Sequence, residues 1–276
     1  LKENEVHFWK EVNMLKRFNG RSHDHLVTLL MTWRMDDRHY FLFPAAECDL
    51  LSYWEDKHPT IDFRDTPAIQ WLSAQIRGMT EALAVIHNPT PLLEEQQRFG
   101  RHGDLKAENI LWYPSNDYER GIFVIADFGL GALNTEKSRS NIPGENIPTT
   151  PGYRPPECDL EGGLISRSFD VWTFGCLLLE MICWALGGNQ LRAKFENERM
   201  TPYITGSNSD IFFDIQYRPN SGRGKQWVVK VKEVVTKVCR STAVIWEQIN
   251  MLTVNSGFLS STTTLLAHNT IMIFSA

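Results

Sequence analysis

Two short polar motifs, each pinned against an apolar run, constrain this chain more than any other feature. His102-Gly103-Asp104-Leu105-Lys106-Ala107-Glu108-Asn109 leads directly into Ile110-Leu111-Trp112-Tyr113, and Ile122-Phe123-Val124-Ile125 leads directly into Ala126-Asp127-Phe128-Gly129. The polar stretch from Pro114 to Gly121 between the apolar runs reads as the turn of a β-hairpin. Folding that hairpin returns Asp127, 18 residues after Asn109, to lie beside it. A carboxylate, an ammonium, an amide and a second carboxylate then face one site.

Those groups suit phosphoryl transfer. One acid orients or deprotonates a hydroxyl, a Lys neutralises the moving phosphoryl group, and Asn with Asp offers hard oxygens to Mg²⁺. Alone, Asp-Phe-Gly is a common turn after a strand. Two motifs in this order, at a spacing one hairpin accounts for, carry much more weight.

The rest of the chain predicts a helix over Glu5 to Phe18, stopped at Asn19-Gly20. A strand hairpin follows, from Leu26 to Trp33 and from His39 to Pro44. Pro67 to Asn88 is the clearest helix: Ile69, Leu72, Ile76, Met79, Leu83 and Ile86 form one apolar stripe. Asn88 to Arg101 reads as a loop. Val171 to Leu186 is apolar on all sides except for Glu180, with Asp170 just before it. That stretch is shorter than the roughly 20 apolar residues a bilayer span needs, so it predicts the central helix of a folded core. Gly187 to Gly224 offers no clear element, and Gln226 to Cys239 reads as helix or strand.

The sequence resembles the eukaryotic protein kinase family. The catalytic-loop pattern H-R-D-L-K-x-x-N is matched, with Gly103 in place of the Arg. Thr150-Pro151-Gly152-Tyr153-Arg154-Pro155-Pro156-Glu157 is similar to the end of that family's activation segment. Ser168-Phe169-Asp170-Val171-Trp172-Thr173-Phe174-Gly175 is similar to the start of its buried central helix. The resemblance runs from about Glu5 to Trp184. His-Gly-Asp also resembles the aminoglycoside and choline phosphotransferases, which generally lack the two later blocks.

The resemblance implies an α+β, two-lobed fold with an incomplete small β lobe and a mainly helical large lobe. The kinase-like domain is expected over 1–250, with a partial small lobe over 1–45 and a large lobe over 46–250. The segment 251–276 is an irregular tail with no evident place in the fold. The implied reaction moves the ATP γ-phosphoryl group to a protein Ser or Thr hydroxyl, Lys106 and Thr150 favouring that class. Asp104 would be the base, Lys106 the phosphoryl stabiliser, and Asn109 and Asp127 the Mg²⁺ ligands. Glu11 matches the small-lobe helix glutamate. Leu42 falls at the gatekeeper position, Phe43 and Ala45 would lend backbone groups to adenine, and Asp49 could reach the ribose.

Asp170 would cap the catalytic loop from beneath, and Glu157 would need a late Arg, for which Arg240 is the nearest stand-in. Gly103 implies that activity does not depend on an activation-segment phosphate held by that residue. Only ten residues precede Glu11, so the Gly-rich phosphate loop and the strand Lys of the family are expected to be absent from this chain. A catalytically impaired, pseudokinase-like binding module is the alternative reading.

Charge and cysteine usage narrow the partners. Lys and Arg number 28 against 33 Asp and Glu, a net charge of −5, and no basic block marks a nucleic-acid or membrane surface. Cys48, Cys158, Cys176, Cys183 and Cys239 form no CxxC and no disulfide pattern, which favours an intracellular, reducing compartment. No apolar leader opens the chain. The resemblance implies ATP and a protein substrate as partners, and the charge balance supports neither nucleic acid nor membrane.

Overall fold

The computed structural model describes residues 2–19, 23–62, 64–89, 99–134, 142–143, 150–203, 206–219 and 225–241. The segment 251–276 and the stretches between these ranges lie outside the described residues.

Helix α1, Lys2–Asn19, ends where the Asn-Gly signal predicts, with Lys16 and Arg17 in its last turn, where cations suit the helix dipole. It buries Phe8, Val12, Met14, Leu15 and Phe18 along one face. Against it lies a hairpin of β1, Met31–Met35, and β2, Arg38–Leu42, in the register Trp33 opposite Tyr40. Asp36 and Asp37 turn this hairpin at φ of 48° and 60°. Two positive φ values in a two-residue loop match the twist of the strands, and Asp tolerates them better than most residues. Phe8 stacks on His39 and packs on Phe41, which ties α1 to one face of the hairpin.

The chain then passes through β3, Cys48–Asp49, the short α2, Leu50–Ser52, and a π-helical turn, Tyr53–Lys57. Helix α3, Thr66–His87, starts with proline in its first turn, where the missing N–H costs nothing. Five residues of its predicted stripe are buried, and the sixth, Ile69, is half-buried. Gly78 in α3 makes room for His25, since a Cβ there would come within 2.0 Å of the imidazole Nε2. His25 Nδ1 in turn bonds the Phe123 carbonyl at 2.7 Å, fastening the segment before β1 to the larger lobe.

Strand β4, Phe99–Arg101, ends the stretch expected to be loop. It pairs with β7, Ala132–Asn134, so the polar composition of the region hid one strand whose partner lies some 30 residues on in the chain. The expected hairpin forms: β5, Ile110–Tyr113, and β6, Ile122–Ile125, pair antiparallel with Ile110 opposite Ile125. β3 adds to the other edge of β5. Two short pairs, β8 (Ile142–Pro143) with β9 (Leu164–Ile165) and β10 (Thr201–Pro202) with β11 (Asn208–Ser209), close surface loops.

Helix α4, Ser168–Arg199, runs through the centre of the larger lobe. It is long and apolar enough to cross a membrane by composition, yet 83% of its most apolar window is buried inside the protein. The sequence stops the helix near Leu186, but it resumes after a kink. Gly187 and Gly188 leave helical geometry, Gly188 at φ 68°, and Asn189 N–H bonds the Pro59 carbonyl at 2.7 Å to restart it. Tertiary contact, which no local pattern reveals, supplies the second start. The ambiguous stretch after Gln226 is both things in turn: β13, Lys225–Val231, pairs with β12, Phe213–Pro219, and a helix, α5, follows over 233–241.

One apolar core joins α1, α3, the β5–β6 hairpin and the first half of α4, and a second lies between α4, Phe212 and α5. Three tryptophans set in or beside the first core each donate an indole N–H to a carbonyl: Trp71 to Gly121, Trp112 to Arg120 and Trp184 to His58. Their polar atoms are thereby satisfied on burial.

Candidate active site

The loop between β4 and β5 is built from beneath by buried polar groups. His102 is fully buried, and its Nε2–H donates to the Ala126 carbonyl at 2.9 Å while Nδ1 accepts the Asp104 N–H at 3.2 Å. Burial holds the imidazole pKa below its ordinary value, so the ring stays neutral in this tautomer. Asp170, in the first turn of α4, accepts the backbone N–H groups of His102 and Gly103, each at 2.8 Å. Its Oδ2 also meets His87 Nε2 of α3 at 2.9 Å. The acid noted in the core helix therefore has donors on every side, which is what a buried carboxylate requires.

Gly103 adopts φ +86°, and a Cβ there would stand 2.8 Å from the Leu130 carbonyl oxygen. The loop in this form admits only glycine at the position where the family pattern has Arg.

Above this base the polar groups converge. Asp104 Oδ1 accepts a hydrogen bond from Thr150 Oγ1 at 2.8 Å, and Oδ2 accepts one from Asn109 Nδ2 at 3.0 Å. Lys106 Nζ lies 3.2 Å from Asp104 Oδ2 and donates to Thr150 Oγ1 at 3.1 Å. Asn109 Nδ2 also donates to the Asp104 carbonyl at 2.8 Å, which commits the amide nitrogen inward and leaves the amide oxygen free to face a cation. The Ala126 N–H bonds the Asn109 carbonyl at 2.9 Å, so the hairpin does bring Asp127 beside Asn109. Asp127 sits at φ 61°, and its Oδ1 accepts the Gly129 N–H at 3.0 Å. An amide oxygen and a carboxylate side by side fit a hard divalent cation.

Phe128 couples this loop to the smaller lobe. Its buried ring packs between Phe18 of α1 and His102, with centroids 5.1 and 5.0 Å away. Glu11, one helical face away on α1, is half-buried and close enough to Asp127 to be repelled by it. Burial first, and that repulsion second, push its carboxyl above the ordinary range. Among the described residues Glu11 makes no ion pair. It lines a groove of about 690 Å³ between α1 and β2, with Phe8, Arg38 and His39 among its walls.

The connecting stretch is partly as expected. Asp49 is half-buried and caps α2, accepting the Ser52 N–H at 2.8 Å. Tyr113 Oη donates to the Pro44 carbonyl at 3.1 Å, holding the Phe43–Ala45 backbone next to β5. Leu42 lies at the end of β2. It is 40% exposed, whereas Phe41 and Phe43 pack against the core. Strand alternation places Leu42 on the face opposite Phe41 and Phe43.

Glu157 is half-buried. It makes no ion pair among the described residues, Arg240 included. Burial pushes its carboxyl up, and the Ser168 hydroxyl supplies a hydrogen bond. The buried carboxylate–guanidinium pair of this lobe is instead Glu180 with Arg199, at 2.6 Å, with Tyr153 Oη donating to Glu180 at 2.5 Å. Sequence reasoning missed Arg199 and Tyr153, although Glu180 in an apolar helix already demanded a cation somewhere.

Comparison with known proteins meets this geometry. The protein kinase domain model matches residues 1–242. The chain belongs to the protein kinase family. Relatives include cyclin-dependent kinase F-4 of Oryza sativa subsp. japonica, 28% identical over 173 residues, which span 63% of this chain and 32% of that protein. The CTD kinase subunit alpha of Schizosaccharomyces pombe is 30% identical over 173 residues, 62% of this chain and 25% of its own length. Cyclin-dependent kinase 2 of Caenorhabditis elegans is 30% identical over 172 residues, 62% and 40% respectively. The chain thus spans between a quarter and two fifths of the length of these relatives. The mixed helix and strand content is that of an α+β protein kinase domain, and the family match extends past Trp184, where the sequence resemblance ended.

Proposed function

We propose that this kinase domain transfers the γ-phosphoryl group of ATP to Ser or Thr hydroxyls of a protein substrate. The observation that carries the reading is the Thr150 hydroxyl, held between Asp104 and Lys106 at 2.8 and 3.1 Å. A carboxylate and an ammonium that grip one aliphatic hydroxyl at hydrogen-bond distance are spaced to grip another. In this reading Asp104 orients the substrate hydroxyl and takes its proton, and Lys106 neutralises charge on the moving phosphoryl group. Asn109 and Asp127 would hold a divalent cation, Mg²⁺ by family resemblance, which when bound neutralises the nucleotide phosphates. The Phe43–Ala45 backbone would receive adenine and Asp49 the ribose. The five cysteines are all free thiols, which supports an intracellular setting.

A second reading, a catalytically impaired binding module, draws on Glu11. In active kinases a Lys–Glu pair must be in place, and here the carboxyl is half-buried without a cation among the described residues. Incubation of the purified chain with ATP, Mg²⁺ and a mixed protein substrate, followed by phosphoamino-acid analysis, separates the readings. Transfer to Ser or Thr that Asp104→Asn abolishes supports the enzyme. Nucleotide binding without transfer, in both forms, supports the binding module.

A further inference from the structure

The hairpin of β12 and β13 takes no part in the site described so far. Its root belongs to the second core. Phe212 is fully buried, Val231 packs beside it, and Phe213 meets Trp172 and Tyr203 edge-on, at 5.8 and 6.4 Å between ring centroids. Further along the strands Gln216 and Lys230 are exposed. Among the described residues β12 pairs with no strand but β13. Its outer edge is a seven-residue row of backbone groups, the kind of edge on which another strand can form.

The hydrogen-bond phase of the hairpin sets which groups that row presents. Lys232 N–H bonds the Phe212 carbonyl at 3.1 Å, so the even-numbered residues of β12 commit their backbone groups to β13. Phe213, Ile215 and Tyr217 direct theirs to the outer edge. Strand alternation puts the same three at positions of one face, opposite Val231, Val229 and Trp227, whereas Asp214, Gln216 and Arg218 fall on the other. Laid antiparallel against a second β12, with the two-fold axis at Gln216, the strand complements itself. Ile215 then stands opposite Tyr217 of the second copy, and both have outward groups to exchange. Asp214 stands opposite Arg218 of the second copy, twice by symmetry. A one-residue slip sets the apolar positions of one copy beside the polar positions of the other. A two-residue slip loses the Asp–Arg pairs.

We propose that β12 is a self-association edge, and that its occupant is a second copy of this chain. The two hairpins join in a four-stranded antiparallel sheet with the two β12 strands at its centre. Two rows of its apolar face each carry Val229, Ile215, Tyr217 and Trp227, and such pairs of aromatic with β-branched residues stabilise neighbouring strands. On the other face Asp214 lies between Lys230 of its own hairpin and Arg218 of the second copy, so charge alternates across the sheet. This opposite-sign pair selects a second copy over an unrelated strand, because each edge carries both halves of the match. The interface is small, so the dimer is weak, with a dissociation constant on the order of 10 µM.

Sedimentation velocity of the full chain over roughly 1 to 200 µM tests the association. The mean mass should climb from that of one chain towards that of two. Arg218→Asp opposes two carboxylates and Asp214→Arg opposes two guanidinium groups, so each variant alone should stay monomeric across the range. Mixed in equal amounts, the two variants regain opposite charges at both positions, and the dimer should return. Tyr217→Pro removes an outward N–H, leaves the inward ladder intact, and should also stay monomeric. If Asp214→Arg, which faces Lys230 within its own hairpin, does not fold, Arg218→Asp and Tyr217→Pro decide together with the unsubstituted chain. An unsubstituted chain that remains monomeric at the highest concentration overturns the proposal, whether the edge is empty or covered by another segment of the same chain. A dimer that Arg218→Asp and Tyr217→Pro both leave unchanged overturns it as well.

Discussion

Thr150 Oγ1 donates a 2.8 Å hydrogen bond to Asp104 Oδ1, across 46 residues of sequence, and receives one from Lys106 Nζ at 3.1 Å. One hydroxyl thus ties Thr150 to the loop between β4 and β5. Thr150→Val keeps the shape and removes both bonds, at a cost of about 1 kcal/mol each in stability. Phosphoryl transfer should fall roughly tenfold, the equivalent of about 1.4 kcal/mol of lost positioning, and Thr150→Ser should restore it. Steady-state rates of the three forms check this.

Asp170 holds two successive backbone N–H groups of the loop between β4 and β5 and a histidine of α3. Asp170→Asn replaces one acceptor oxygen by a donor, which then faces a backbone N–H or His87. The expected loss is about 2–4 kcal/mol, since hydrogen bonds to a charged group are lost and a buried donor is left unmet. Urea unfolding measures it.

Glu11 makes a pH prediction with a definite sign. Its carboxyl pKa is raised in the folded chain, by burial and then by Asp127. The folded state therefore binds the proton more tightly than the unfolded state, and stability falls as pH rises from 4.5 through the raised value. Glu11→Gln removes that penalty. Its melting temperature should exceed that of the parent chain at pH 7, and the difference should shrink towards zero below pH 4.5. A difference independent of pH would count against the assignment.

Arg199 is fully buried against Glu180, between the rings of Phe195 and Phe212. Arg199→Met strands a buried carboxylate and should cost about 3–5 kcal/mol. Glu180→Gln combined with Arg199→Met should recover part of that loss, because the stranded charge is gone and Gln can still accept from Tyr153. Denaturant melts of both single variants, the double variant and the parent chain give the coupling.

The elements that could be read in the sequence share one property: their signal is local. The α3 stripe repeats every three or four residues, and the β5–β6 hairpin announces itself through two apolar runs and a polar turn. The restart of α4 was hidden because Asn189 is anchored by Pro59, far back in the chain. The face that Leu42 takes was hidden for a similar reason. A one-residue shift along a strand reverses which face a side chain takes, and nothing in the sequence of β2 marks the face that meets α1.

The sequence by itself determined the chemistry available at the site: which acids, which amide and which lysine stand on either side of one hairpin. It also determined that a carboxylate would lie at the head of a core helix, since Asp170 precedes an apolar run that has to be buried. Only the tertiary structure decided who pairs with whom. Asp104 meets Thr150, and Glu180 meets Arg199. The physical reason is range. Periodicity and turn chemistry act over a few residues, whereas the partner of a buried charge is set by packing between elements that lie dozens of residues apart.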